Sequence, residues 1–313
     1  MDYTTTEIIE SLKMRGLIPE NSEKTFSADE LIRFMDEELR TVIVPKIMTV
    51  RENFFLSYYD QTLVANQTRY NIHPRAIGMK IKLLFWLDQN GQTRQKLSLT
   101  DVDELTTNNW WAITGNPGMY YFQDNFVEIL PIPTQGIQGS LRQYFFMRRN
   151  QLIASSSAGQ IVDISGLNVE INNTPTNFTA SVEYDFVKGQ PGFQNLAIDQ
   201  TPTGVSGTVF TFSELPEGLA VGDWLCLAGT SPIPQVPLEI FPVISQTTVA
   251  VALMAMNDRA GADEAFKKRN EMMDQSMLLV GTRAENNAKV IVSNTNIGNA
   301  LWSSGQGIGP WRR

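Results

Sequence analysis

Four prolines, Pro232, Pro234, Pro237 and Pro242, crowd the stretch "SPIPQVPLEIFP", which leads through "VISQ" into the apolar "TTVAVALMAM". A proline fixes its own φ and removes a backbone donor, so this is a stiff connector. Stiffness lowers the entropy of the unfolded connector, which makes ordering it less costly where the chain must arrive at a fixed place. Pro237 or Pro242 suits the first turn of a helix, where a missing N–H is harmless. The run that follows has no polar face, as expected of a helix buried among others.

Elsewhere the chain changes texture several times. "TTTEIIESLKMRG" reads as a helix with a threonine cap, Glu7 in its first turn, Ile8, Ile9 and Leu12 on one face and Gly16 as its stop. Ser27 and Glu30 stand at capping-box spacing before Leu31, Ile32, Phe34, Met35 and Leu39. Pro45 predicts a kink or an end to that helix. From residue 66 onward short aromatic or alternating runs are cut by turn signals, with Asn90-Gly91 predicting a hairpin. Between 159 and 230 only short β-type runs occur. Farther on, Phe266, Met273, Met277, Val280, Ala284 and Ala288 mark one stripe of a long amphipathic helix. Met272, Met273 and Met277 suit either a core or an adaptable partner surface.

This order predicts an α+β fold: an α-helical bundle core with an antiparallel β-rich part, a β insertion and an extended C-terminal tail. The segments are 1–65 (N-terminal helices of the core), 66–158 (a β-rich, embracing region), 159–234 (the β insertion domain), 235–290 (C-terminal helices of the core) and 291–313 (the tail). That tail carries Trp302 and Trp311 but no charge from Val290 to Trp311.

Charge narrows the function. With a net charge of −8 and an isoelectric point near 4.9, the surface as a whole repels phosphate, which argues against a general DNA-binding module. The single cysteine, Cys226, excludes an internal disulfide and a cysteine zinc site. No run of about eighteen consecutive apolar residues occurs, and the start lacks the charge pattern of a signal peptide. The expectation is a protein neither exported nor spanning a membrane.

Chemistry is sparse. The one histidine, His73, has no second histidine to form a metal set and precedes Pro74, a structural position. No phosphate-cradling loop, nucleophile elbow or zinc-protease motif is present. The carboxylate pairs Asp101/Asp103 and Glu37/Glu38 read as solvated faces rather than a glycosidase pair. "RQYFFMRRN" mixes Arg142, Arg148 and Arg149 with aromatics, as a single-strand stacking platform would. Strand alternation favours Tyr144 and Phe146 in a core instead. The expectation is no catalytic, cofactor or metal residue, and no enzyme.

Three stretches carry a resemblance. They are the region of Arg75, Ala76, Ile77 and Gly78; the region of Pro131, Pro133, Tyr144 and Arg148; and the region of Gly222, Asp223, Ser231, Pro232, Pro234, Gln235 and Pro237. In order and spacing they resemble the head-to-tail adaptor (connector or neck-ring) proteins of short-tailed bacteriophages. The resemblance implies a structural virion protein in the neck, made in the host cytoplasm. It implies a ring of about twelve copies with heterologous contacts, docked between the portal protein and a tail or nozzle protein. DNA would pass through the lumen without sequence-specific binding, and no membrane is involved. The tail is then expected to dock on the portal, with Trp302, Ile308, Pro310 and Trp311 as apolar contacts and Arg312 and Arg313 pairing with acidic residues.

Two other readings stand beside it. One is a different neck or nozzle ring. The other is a glycan-binding module in the β insertion, with Tyr184, Phe186 and Phe193 as stacking surfaces.

Overall fold

The structure is a computed structural model that describes residues 3–14, 26–103, 113–134, 138–190, 192 and 195–281. Helix α1 (Thr5–Met14) is fastened at its first residue. The Thr5 backbone N–H donates to the Pro232 carbonyl at 2.8 Å, and its hydroxyl donates to the Ile153 carbonyl at 2.8 Å. Helix α2 (Ala28–Glu38) opens on the capping box, with Ser27 N–H donating to Glu30 Oε2 at 2.8 Å and Glu30 N–H donating to Ser27 Oγ at 3.3 Å.

The interruption expected at Pro45 takes a particular form. The chain passes through a π-helical turn, Leu39–Ile43, and continues as α3 (Val44–Val50) with Pro45 in its first turn. A wider turn ahead of the proline accommodates the ring and the absent N–H that a regular helix interior cannot. Leu39 and Ile43 stay fully buried through it.

Behind the prolines, a 3-10 turn (Leu238–Ile240) leads into α4 (Phe241–Ala255), with Pro242 in the first turn. Its buried hydroxyls return to their own helix. Thr247 donates to the Val243 carbonyl at 2.8 Å and Thr248 to the Ile244 carbonyl at 2.9 Å, so an apolar environment leaves neither unsatisfied. By length and composition Leu238–Ala255 is apolar enough to cross a membrane, with mean hydropathy 1.6, yet 61% of it is buried by the rest of the protein. Helix α5 (Arg259–Val280) packs Ala262, Ala265, Met273, Met277 and Val280 inward, whereas Phe266 is only partly covered. The stripe residues Ala284 and Ala288 lie outside the described residues.

The first sheet has the order β1-β8-β3-β4, from β1 (Leu56–Thr62), β3 (Ala76–Leu87), β4 (Thr93–Lys96) and β8 (Ser140–Met147). The second has the order β2-β7-β6-β5, from β2 (Arg69–Asn71), β5 (Ser98–Leu99), β6 (Met119–Gln123) and β7 (Phe126–Leu130). They share a core that includes Tyr70, Leu84, Val127, Ile129, Leu141 and Phe145. The β3–β4 hairpin turns at Asn90-Gly91. Gly91 sits at φ +73° and donates to the Asp88 carbonyl, while Asp88 Oδ1 accepts the N–H groups of Asn90 and Gln92 at 2.9 and 2.8 Å.

A two-stranded parallel pair, β9 (Gln151–Leu152) and β17 (Thr230–Ser231), brackets the next unit. Its seven strands run β13-β12-β16-β10-β11-β15-β14, built from β10 (Gly159–Ser165), β11 (Asn168–Ile171), β12 (Tyr184–Val187), β13 (Asn195–Gln200), β14 (Gly204–Ser206), β15 (Val209–Thr211) and β16 (Trp224–Leu227). Tyr184, Phe186, Phe210 and Leu225 fill its core, with Tyr184 and Phe210 edge to face at 5.5 Å.

The α-helical bundle core expected from the sequence is overturned. The fold is mixed α/β, with strand and helix in near-equal shares. Among the described residues there are four helical rods: α1, α2 continued through the π turn into α3, α4 and α5. The physical reason is the division of the apolar residues. Two of the larger cores lie between strands. The helices line one other core, and there they pack on Leu152, Ala158, Val187, Trp224 and Cys226 from outside the helices as well as on each other.

Candidate functional site

The sequence places Arg75 just after Pro74, in a turn closed by the Ala76 N–H donating to the His73 carbonyl at 2.9 Å, directly before β3 begins. Its guanidinium grips the carboxylate of Asp185 with both outer nitrogens, at 2.6 and 2.9 Å, and reaches Asp199 at 2.5 Å. Asp185, in the middle of β12, is fully buried, and such a charge is tolerated only when every lone pair is used. It also accepts the N–H groups of Gly229 and Asp199 at 2.9 and 3.1 Å and the amide of Asn150 at 2.9 Å. Burial alone pulls the Arg75 guanidinium down, but Asp185 and Asp199 outweigh it and leave its pKa raised.

Asn150 carries the network onward. Its backbone N–H donates to Gln235 Oε1 at 2.8 Å, and Gln235 in turn donates to Asn195 Oδ1 at 2.5 Å. The neighbouring Arg149 donates to Asp36 Oδ1 on α2 at 2.9 Å and to the Asn150 carbonyl at 2.8 Å. Asp36 also accepts the Leu152 N–H at 2.9 Å and pairs with Arg40 at 2.9 Å. Burial lowers the Arg149 pKa, and Asp36 opposes that shift. One continuous polar junction thus joins α2, the strap at Gln235, the first sheet's β3 and β8 flanks and the β12–β13 edge.

His73 sits at the margin of this junction, 5% exposed and stacked on Phe145 at 5.0 Å. Its Nδ1 accepts the Arg75 N–H at 3.2 Å, and its Nε2 lies 3.9 Å from Asp199. Burial lowers its pKa, Asp199 raises it and Arg75 lowers it. Cys226 is fully buried beside Asp185. Burial first, then that carboxylate, push its thiol pKa up, so the thiolate a nucleophile needs is disfavoured. Among the described residues no three His, Cys, Asp or Glu side chains cluster as a metal set. The junction's donors and acceptors are largely spent on each other, so its chemistry is cohesion.

The arginine-aromatic stretch is arranged differently from expectation. Along β8, Leu141, Gln143, Phe145 and Met147 point inward, while Arg142, Tyr144 and Phe146 occupy the half-covered outer face. Tyr144 and Phe146 are therefore not core residues. The strand's phase is set one residue over, because Leu141 and Phe145 fill the space between the sheets. On the outer face Tyr144 contacts Tyr58 at 6.0 Å and Phe85 at 5.7 Å, and Arg142 lies over Tyr58 at 4.3 Å while bridging to Asp60 at 2.7 Å. Arg148 is exposed, and Arg149 is consumed by the junction.

Other candidates scatter. Asp101 and Asp103 lie on an exposed stretch, and Glu38 faces Arg269 at 3.9 Å. Tyr184 and Phe186 are fully buried and offer no ring face to a glycan. Phe193 lies outside the described residues, as do Trp302, Ile308, Pro310, Trp311, Arg312 and Arg313. The residues that sequence reasoning missed are Asp36, Asn150, Asp185 and Asp199. The available signal was "EYDFV", an acid within an apolar strand, which demands a cationic partner. The sequence matches no protein-family model, and no curated protein is similar to it.

Proposed function

We propose that this protein is a structural ring subunit, of the kind that joins a portal to a tail in short-tailed bacteriophages. The observation that carries the reading is convergence. Arg75, Arg148 and Gln235 come one from each of the three stretches that resemble the adaptor proteins, and they meet at or beside one buried junction, where the Arg148 N–H donates to the Arg75 carbonyl at 2.7 Å. Arg75 pairs with Asp185, and Gln235 holds Asn150. Away from the junction, Asp223 of the third stretch braces the loop after β12, accepting the N–H of Gly189 at 2.9 Å and the ammonium of Lys188 at 3.0 Å. A subunit that transmits load between neighbours needs such rigid cross-bracing. An acidic surface lets DNA slide through a lumen without adhering.

Mass photometry of the purified protein, alone and with portal rings, tests this. The expected result is a closed assembly of about twelve copies, formed alone or on the portal. A monomer that ignores the portal would refute it. Removal of residues 300–313 is expected to abolish portal binding while leaving the far-ultraviolet circular dichroism unchanged.

A further inference from the structure

Strand β3 is longer than its partner on one side. β4 covers only Phe85–Leu87, and Leu97 donates to the Leu84 carbonyl before the chain leaves for β5. Among the described residues no strand lies against that edge of Lys80–Leu83. A cleft of about 500 Å³ opens there, lined by Ile81, Lys82, Leu83, Lys96, Tyr120 and Phe122 among others. Phe122 is 39% exposed, and Leu99 at the cleft wall is 61% exposed.

Charge at this place runs against that of the whole chain. Lys80, Lys82 and Lys96 surround the edge of a protein whose net charge is −8. Lys82 is held by Glu52 at 3.3 Å and lies over Phe146, whereas Lys80 and Lys96 are exposed and form no ion pair among the described residues. An open strand edge offers unpaired backbone donors and acceptors, and only another extended backbone meets them in register. Alternate side chains of such a segment would lie against Leu83, Leu99 and Phe122, with carboxylates near the lysines.

We propose that this cleft takes an extended, acidic peptide segment of a partner protein, which adds as a strand to β3 in line with β4. The site rests on the open sheet edge and the lysines around it, and is independent of the ring reading.

The test uses the full chain and a fluorescein-labelled peptide of about six alternating valine and glutamate residues. Saturable binding is expected in fluorescence polarisation, together with slowed hydrogen exchange at residues 80–83. Methylating alternate backbone nitrogens of the peptide is expected to weaken binding about tenfold, because it removes the ladder donors without touching charge. The double substitution Lys80→Glu and Lys96→Glu, at exposed positions, is expected to weaken it about tenfold as well. The proposal is overturned by absence of saturable binding, by equal affinity for the methylated peptide or for a lysine-for-glutamate peptide, or by tighter binding of oligothymidylate.

Discussion

The Asn150 backbone N–H donates to the side-chain oxygen of Gln235 at 2.8 Å, across 85 residues of chain. Asn150 is 2% exposed and Gln235 1%, so neither group has water to fall back on. Gln235→Leu leaves that N–H unpaired and strips Asn195 of a donor. The expected loss is roughly 1–3 kcal/mol of unfolding free energy, read from urea denaturation. A change within a few tenths would show the bridge to be incidental.

Arg75→Met removes the cation facing Asp185 and strands a buried carboxylate. The expected cost is about 3–5 kcal/mol, because the desolvation of the remaining charge is no longer offset. Adding Asp185→Asn to that background is expected to recover part of the loss, a non-additivity that a double-mutant cycle measures.

His73 makes stability depend on pH. Its folded pKa is lowered, chiefly by burial, so on acidification the unfolded chain takes up the proton first. Its contribution is therefore complete above the ordinary histidine value of about 6.5 and is lost as pH falls towards the folded value. His73→Asn keeps an acceptor for the Arg75 N–H without titrating. Comparing urea midpoints at about pH 7.5 and 5 should show a smaller decline in the variant. Glu38, whose pKa burial raises, acts in the opposite direction but is present in both proteins and cancels.

Gly189→Ala tests close packing at the Gly222-Asp223 turn. A Cβ on Gly189 would lie 2.4 Å from the Gly222 carbonyl oxygen, a contact with backbone that cannot swing away. A loss of roughly 2 kcal/mol or more is expected by thermal or urea unfolding.

Local features of this fold were readable in the sequence wherever a few neighbouring residues determine the outcome. Ser27 and Glu30 announced α2, Asn90-Gly91 the β3–β4 turn, and Pro242 the first turn of α4. Pro45 announced an interruption but not its form, a π turn that relieves the steric conflict ahead of the ring. Tyr144 and Phe146 were assigned to the wrong face, since in "RQYFFM" both phases of the strand are rich in aromatics and only the opposing sheet decides between them. The junction was illegible for another reason: Arg75 and Asp185 are separated by 110 residues, and nothing local to either names the other. The helical bundle failed because amphipathic helices state that they need a core, not what shares it.

The tie between Thr5 and the Pro232 carbonyl bears on how the molecule is made. During synthesis the first helix cannot complete its seat until the proline strap has left the ribosome. At roughly 5–20 residues per second that wait lasts on the order of 10–45 s. Ile8, Ile9 and Leu12 lack part of their final packing throughout, which marks this helix as a segment a chaperone would shield.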